Sequence, residues 1–176
     1  MIRLFTGITL PENVKATLLA AMGGLPHIRW QTRAQLHLTL RFIGNVEPSL
    51  ALDIRYKLAA VKFSPFSFAI RGLGIFGAER TPRMLWAAVE GGEPLRELYK
   101  RISASLNGLG IEPETRKYTP HVTLGRFKGS RGERLSTYLA RAGALSLPAV
   151  PVEEFALFQS HPGNDGSHYE IIETYS

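Results

Sequence analysis

Two short segments, QLHLTLRFIG at 35–44 and TPHVTLGRF at 119–127, share the pattern His-x-Thr-Leu. Both are typical of β-strands, because apolar and polar residues alternate along them with a period of two. Alternate side chains of a strand face the same side, so His37 and Thr39 point to one face and the leucines to the other. The second segment repeats this arrangement. Each segment therefore presents an imidazole and a hydroxyl together, while its leucines face a core.

The rest of the chain repeats around these two segments. His121 follows His37 by 84 residues, and the predicted strands and helices recur at nearly the same offset. Self-similarity at a fixed offset indicates a duplicated supersecondary unit. The sequence therefore predicts a single domain, 1–176, made of two interleaved strand–helix–strand–helix–strand repeats at about 1–83 and 84–176.

The element pattern predicts an α+β fold. We expect strands at 2–9, 36–43, 66–73, 84–89, 121–127, 150–158 and 168–173, and helices at 11–22, 46–61, 94–107 and 131–142. The glycine-rich stretches 72–81 and 160–167 are expected to form loops at a rim. Two related sheets with helices on their outer faces predict a pseudo-twofold, bilobal molecule in which two antiparallel sheets surround a central cleft.

The composition favours a folded protein with an anionic partner. Apolar residues make up 44% and charged residues 20% of the chain, which is ordinary for globular proteins. The formal charge of +6 is carried by dispersed arginines, so a broad positive field suits a polyanion such as RNA. The opening residues do not resemble a signal peptide and no apolar run is long enough for a membrane span. A cytoplasmic protein with no membrane partner is expected.

The chemistry must come from groups other than thiols. The chain has no cysteine, which excludes disulfides, thiolate nucleophiles and cysteine-based metal centres. A pair of histidines suits phosphodiester cleavage, since imidazole can take a proton from water and give one to a departing oxygen near neutral pH. The hydroxyls of Thr39 and Thr123 can bind phosphate oxygens, where charge builds up in the transition state. No cofactor is then required.

Two alternatives explain the histidines differently. A metal site is one, but zinc usually needs a third protein ligand, and neither segment has an acidic or histidine companion at helical spacing. Duplication of a purely structural strand is the other. The remaining histidines, His27, His161 and His168, lie outside both segments and are expected at the surface or in loops.

The chain resembles the 2H phosphoesterase superfamily, and within it the RNA 2′,3′-cyclic phosphodiesterases, also called 2′-5′ RNA ligases. The resemblance covers essentially the whole chain: RLFTGITLP at 3–11, LHLTLRFIG at 36–44, MLWAAVE at 84–90, PHVTLGRF at 120–127, and ALFQS with HYEII near the end. The paired motifs correspond to His37, Leu38, Thr39 and Leu40, and to His121, Val122, Thr123 and Leu124. Gln35 stands where the family usually has Asn, a mild departure that leaves base preference open.

The resemblance implies roles for these residues. His37 would donate a proton to the leaving oxygen, His121 would accept one from water, and Thr39 and Thr123 would hold the phosphate. The bond to the 3′ oxygen would break, leaving a 2′-phosphate. Nothing in the spacing distinguishes the two histidines. The expected partners are RNA or nucleotides with cyclic phosphate ends, and the protein is expected to be a monomer.

Two arginines are candidates for additional phosphate contacts. Arg126 matches an arginine that follows the family's second motif. Strand parity places it opposite His121, unless a bulge at Gly125 turns it back. Arg41 shares the face of His37 by the same parity and could bind phosphate there. For each, a solvated cation at a strand end is the competing interpretation.

Two further functions compete with hydrolysis of cyclic phosphate ends. RNA joining through 2′-5′ linkages would use the same residues, because ligation by transesterification reverses the opening of a cyclic phosphate. Water at about 55 M favours hydrolysis unless a second RNA end is held in place. A binding module without turnover is the other possibility, with Trp30, Phe42, Phe76 and Tyr118 stacking on bases, although strand aromatics more often belong to a core.

Overall fold

The computed structural model describes residues 1–176, which form four α-helices and nine β-strands. The strands are β1 (Ile2–Thr9), β2 (Ile28–Trp30), β3 (His37–Val46), β4 (Phe66–Ala78), β5 (Thr81–Glu90), β6 (His121–Phe127), β7 (Ser146–Val152), β8 (Phe155–His161) and β9 (His168–Tyr175). The helices are α1 (Glu12–Ala20), α2 (Pro48–Ala59), α3 (Gly92–Ser105) and α4 (Leu135–Ala142), with a 3₁₀ turn at Arg33–Gln35.

The strands form one antiparallel sheet in the order β7-β4-β5-β6-β3-β1-β8-β9, and β2 pairs with β6. At its centre β3 and β6 share one residue pair, Leu38 with Val122. The strands β7-β4-β5-β6 on one side of this pair and β3-β1-β8-β9 on the other are therefore two half-sheets. The predicted α+β class is confirmed, and the two predicted antiparallel sheets are the two halves of one continuous sheet. The division into two sequence repeats stays a prediction.

The leucines of both motif strands lie in one continuous apolar core. Leu38 and Val122 are fully buried there, with helical residues such as Leu98. The helices contribute apolar stripes at helical spacing; α3, for example, buries Leu95, Leu98 and Ile102 while its other face carries charge. Because the core takes one face of each motif strand, the opposite face is left for the histidines. No helix of the chain is long and apolar enough to cross a membrane.

Several predicted boundaries are wrong, for identifiable reasons. The stretch 72–81 is not a loop, since β4 continues to Ala78 and pairs with β5. Gly74 in this stretch serves packing, because a Cβ there would overlap the ring of Trp86. Strand β3 continues through Gly44, which takes a φ of 92°. The segment 150–158 is not one strand but the end of β7 and the start of β8.

Candidate active site

The two His-x-Thr-Leu segments meet at the central pair of the sheet. Leu38 and Val122 face each other across the antiparallel junction. Such a pair brings the residues on either side together, so His37 adjoins Thr123 and Thr39 adjoins His121. All four side chains lie on the face opposite the core. The sheet thus gathers the four residues on which the sequence interpretation depended.

The imidazole of His37 is held in one orientation by hydrogen bonds at both nitrogens. Nδ1 lies 2.7 Å from the carbonyl oxygen of Gln35, and Nε2 lies 2.8 Å from the hydroxyl oxygen of Thr39. A carbonyl oxygen only accepts, so the neutral ring carries its proton on Nδ1 and Nε2 accepts from Thr39. The ring of Phe5, 4.9 Å away, and the edge-on ring of Tyr169, 5.0 Å away, enclose it.

His121 is anchored in the same way but is more open. Its Nδ1 lies 2.7 Å from the carbonyl oxygen of Thr119, again two residues earlier in the chain. Phe76 packs edge-on against the ring at 5.0 Å and Trp86 lies at 5.9 Å. Since Nδ1 carries the proton, the lone pair of Nε2 is available on the cleft side. Both histidines are therefore oriented through Nδ1, whereas Nε2 is free in His121 and accepts from the Thr39 hydroxyl in His37.

Burial disfavours the protonated, charged form of both imidazoles. It lowers the pKa of His37 to about 4, against the opposing effect of the hydrogen bond to the Gln35 carbonyl. It also lowers the pKa of His121, again partly offset by the carbonyl of Thr119. The guanidinium of Arg126 adds to the lowering of both pKa values. A bound phosphate would reverse the effect, because a nearby negative charge favours the protonated ring.

Arg126 lies on the face of His121 because β6 contains a bulge. Along β5 and β6, Trp86 pairs with Thr123 and Leu85 with Gly125, so Leu124 is skipped. The extra residue reverses the alternation of side chains along the strand, so Arg126 faces the same side as His121. The strand thus has the bulge next to Gly125 that the sequence analysis considered. A Cβ on Gly125 would lie 2.6 Å from the side chain of Ile28. The close approach of β2 thus requires glycine next to Arg126.

Arg41 does not share the face of His37, so that prediction is wrong. In β3, Thr39 pairs with Gly7 but Arg41 pairs with Thr6, its neighbour on β1. This second bulge, at Leu40, turns the Arg41 side chain toward the core, where it is only 7% exposed. Its guanidinium donates to the backbone carbonyl of Glu112 at 2.6 Å. Arg41 is therefore a structural residue and not a phosphate ligand.

The four aromatic residues considered for base stacking have different surroundings. Trp30 packs on Tyr138 and against the core, and Phe76 packs on His121. Tyr118 stacks on Tyr99 with ring centroids 4.2 Å apart. Phe42 is the exposed one: half of its surface is open, on the cleft face that the bulge gives it.

Sequence reasoning missed Tyr169, which lies on the distant strand β9 and encloses His37. It named Tyr118 only as a stacking candidate, whereas the Tyr118 hydroxyl donates to the carbonyl of Thr39 at 3.0 Å. Phe5 had a detectable signal, since it alternates with Gly7 along β1 and so shares its face. No local signal exists for Tyr169, because its position depends on the pairing of β8 with β9. No group of three or more potential metal-ligating side chains occurs in the chain.

The chain is similar in sequence and in fold to proteins of one family. Residues 23–164 match the sequence profile of the 2′-5′ RNA ligase superfamily. An RNA 2′,3′-cyclic phosphodiesterase of Aeropyrum pernix is 36% identical over 138 residues, covering 77% of this chain and 78% of that protein. One of Thermus thermophilus is 33% identical over 192 aligned positions, covering 99% and 89%. The crystal structure of TT0787, also from Thermus thermophilus, superimposes with a TM-score of 0.83 at 28% identity, covering 99% and 97%.

Proposed function

The chain belongs to the 2′-5′ RNA ligase superfamily, and we propose that it hydrolyses RNA-type 2′,3′-cyclic phosphodiesters to 2′-phosphomonoesters. One observation carries the proposal. Two imidazoles, each fixed through Nδ1 by the carbonyl two residues before it, lie on the same face of the sheet on either side of the Leu38–Val122 pair. Relatives named RNA 2′,3′-cyclic phosphodiesterase supply the substrate class.

The mechanism assigns one proton transfer to each histidine. Neutral His121 accepts a proton from water at Nε2 as the water oxygen attacks phosphorus. Protonated His37 gives its Nε2 proton to the 3′ oxygen as the bond between phosphorus and that oxygen breaks. The products are a 3′-hydroxyl and a 2′-phosphate, and a proton exchange with solvent restores both rings. The assignment of donor and acceptor follows the family resemblance.

The neighbouring groups support charge on the phosphate. When His37 takes up a proton at Nε2, it no longer accepts from Thr39, and the Thr39 hydroxyl becomes free to donate to a phosphate oxygen. The hydroxyl of Thr123 now makes only a weak contact of 3.3 Å to the sulfur of Met84 and can do the same. Arg126, on this face through its bulge, would neutralise the extra charge of the transition state.

The direct test is product analysis. Purified protein is incubated with adenosine 2′,3′-cyclic phosphate, and the products are separated and compared with 2′-AMP and 3′-AMP. We expect 2′-AMP from the wild type and none from the variant with both His37→Ala and His121→Ala. The variant His168→Ala, which alters a histidine outside the motifs, is the matched control and should retain turnover. Formation of 3′-AMP, or turnover by the double variant, would contradict the proposal.

Ligation is a second candidate, favoured by the name of the superfamily. The same histidines would catalyse attack by a 5′-hydroxyl of RNA instead of water. Adding a 5′-hydroxyl oligonucleotide to the assay separates the two reactions, since only ligation gives a longer strand. The absence of a cofactor, a monomeric state and a cytoplasmic location stay predictions within this proposal.

A further inference from the structure

We propose that Arg29 binds the phosphodiester next to the terminal cyclic phosphate, so that the preferred substrate is an RNA strand and not a mononucleotide. Arg29 is not part of either His-x-Thr-Leu motif. This inference rests on the proposed function, because it assigns the cyclic phosphate to the two histidines. It adds a second, neighbouring site for an anion.

Register places two arginines side by side at the cleft. Arg29 on β2 pairs directly with Arg126 on β6, while Trp30 pairs with Gly125. Residues directly opposite in an antiparallel pair project to the same face, with Cα atoms about 5 Å apart. Trp30 packs against the core. Arg29 therefore projects to the opposite face, the one that carries Arg126 and His121.

The two guanidinium groups have no anionic partner in the protein. Both side chains are exposed, and neither takes part in an ion pair. Like charges directly opposite on neighbouring strands destabilise a sheet. An arrangement that costs stability and is left open to solvent suits a bound polyanion, because each phosphate relieves the repulsion of the pair. Asp165, in the nearby β8–β9 loop, forms no ion pair either.

The positions of the two arginines in the sheet separate their roles. Arg126 lowers the pKa of both histidines, so it lies within electrostatic reach of the cyclic phosphate. Arg29 lies one strand further out, on β2. There it borders the β8–β9 loop, since a Cβ on Gly166 would be 3.6 Å from the Arg29 guanidinium carbon. The side chain of Gln35 fixes that loop by donating to the carbonyl of Ser167 at 2.8 Å.

Arg29 thus stands at the rim, beside a cation that reaches the reacting phosphate. A strand whose terminal phosphate lies between the histidines has its next phosphate within reach of Arg29. A mononucleotide has no such group. The structure therefore assigns Arg29 to strand recognition, and its contribution should appear only with substrates that contain an internucleotide phosphate.

The experiment compares two substrates in three proteins. The substrates are a nucleoside 2′,3′-cyclic phosphate and a trinucleotide ending in the same cyclic phosphate. The proteins are the wild type, Arg29→Gln, and Arg96→Gln, which removes one positive charge from the outer helix α3. We expect Arg29→Gln to lower kcat/KM for the trinucleotide about tenfold through KM, with the mononucleotide unchanged. The salt dependence of trinucleotide binding should also weaken by about 0.7 in log–log slope. Arg96→Gln should behave as the wild type.

Other outcomes overturn the inference. If Arg29→Gln lowers kcat/KM equally for both substrates, Arg29 acts on the terminal phosphate or on the fold. If all three proteins have equal kcat/KM values for the trinucleotide, Arg29 does not bind the substrate. If the wild type turns over neither substrate, the proposed function fails. The inference is then decided by fluorescence anisotropy with a labelled trinucleotide ending in a 2′-phosphate, whose affinity should fall in Arg29→Gln but not in Arg96→Gln.

Discussion

The two motif strands share a backbone but differ in what they show to the cleft. β3 and β6 each carry a bulge at the leucine after the threonine, Leu40 and Leu124. The residue that each bulge turns into the cleft is Phe42 in β3 and Arg126 in β6. Two similar strands therefore give one aromatic wall and one basic wall. The comparison shows that a single position after the bulge determines whether a motif strand turns an aromatic ring or a guanidinium group to this face.

The histidines differ in a parallel way. His37 is enclosed by Phe5, Phe158 and Tyr169, whereas His121 has Phe76 and Trp86 beside it and a free Nε2. Burial lowers the pKa of both, and that of His37 reaches about 4. A proton donor with so low a pKa in the free protein must be charged by the substrate itself. Binding of the phosphate would thus raise the pKa of His37 and produce the protonated imidazole that acts as the acid.

The largest expected effect comes from removing either histidine. His37→Ala and His121→Ala should each reduce kcat by about 10²–10⁴-fold, because each ring performs one of two linked proton transfers. The double variant should be little worse than either single variant, since residues that act as a unit are not additive. Steady-state rates, with circular dichroism to verify folding, provide the measurement. Near-normal turnover in one single variant would mean that the two halves do not share one reaction.

A smaller effect separates the two arginines that the bulges place on opposite faces. Arg126→Ala should reduce kcat/KM by about 10–100-fold, as expected for one charge-assisted contact to the transition state. Arg41→Met should leave kcat/KM of the folded protein unchanged but lower the free energy of unfolding by about 1–3 kcal/mol, because the carbonyl of Glu112 loses its donor. Kinetics and urea denaturation of both variants test this contrast. If Arg41→Met lowered kcat/KM and Arg126→Ala lowered only the stability, the bulges would place the two arginines on the opposite faces from those described.

The pH dependence should report the low pKa values. Productive free enzyme needs one neutral and one protonated ring, and both pKa values lie below 6.5. The profile of kcat/KM should therefore be bell-shaped, with an alkaline limb that already falls below pH 6.5. The profile of kcat should extend further to the alkaline side, since bound phosphate raises both pKa values. Because the two rings titrate as a coupled pair, the apparent pKa values of the two limbs describe the pair and not either histidine alone. A rate that rises steadily with pH would leave His37 without a role as acid.

The same shifts make the fold sensitive to acid. Between pH 6.5 and about 4 the unfolded chain protonates His37 and the native protein does not. Stability should therefore be lost as pH falls through this window, by up to about 3 kcal/mol. Denaturant midpoints of the wild type and His37→Gln across this range provide the measurement, and the variant should show the shallower dependence. Identical slopes would indicate that His37 is not desolvated.

Removal of metal ions is expected to have no effect on activity. If the two imidazoles do the work that a metal-bound water would otherwise do, EDTA should leave kcat unchanged. Activity that is lost with the chelator and restored by zinc or manganese would contradict this. The assay needs a phosphatase-free preparation, so that the product is not consumed by a metal-dependent contaminant.

The sequence predicted what depends on short-range periodicity and missed what depends on one inserted residue. His37 and His121 were placed correctly because a strand's period of two fixes the side of every residue near the junction. Arg41 was misplaced because one extra residue at Leu40 reverses that period. The glycines of β4 were interpreted as a loop, although Gly74 is there to admit the ring of Trp86. Tyr169 could not be predicted, since it reaches His37 from a strand more than a hundred residues away.

The single pair Leu38–Val122, which joins the two half-sheets, lies at the centre of the reaction site. In any slight rotation of one half-sheet against the other about this pair, displacement grows with distance from the pivot. His37 and His121 lie next to this pair, so the distance between them would change little. Arg29 and Phe42 lie further from the pair and would move more. Distances between spin labels beside these outer residues should change on nucleotide binding more than distances measured next to the histidines. Under the proposed function, such a rotation would widen the site for a substrate while the distance between the two histidines stays nearly constant.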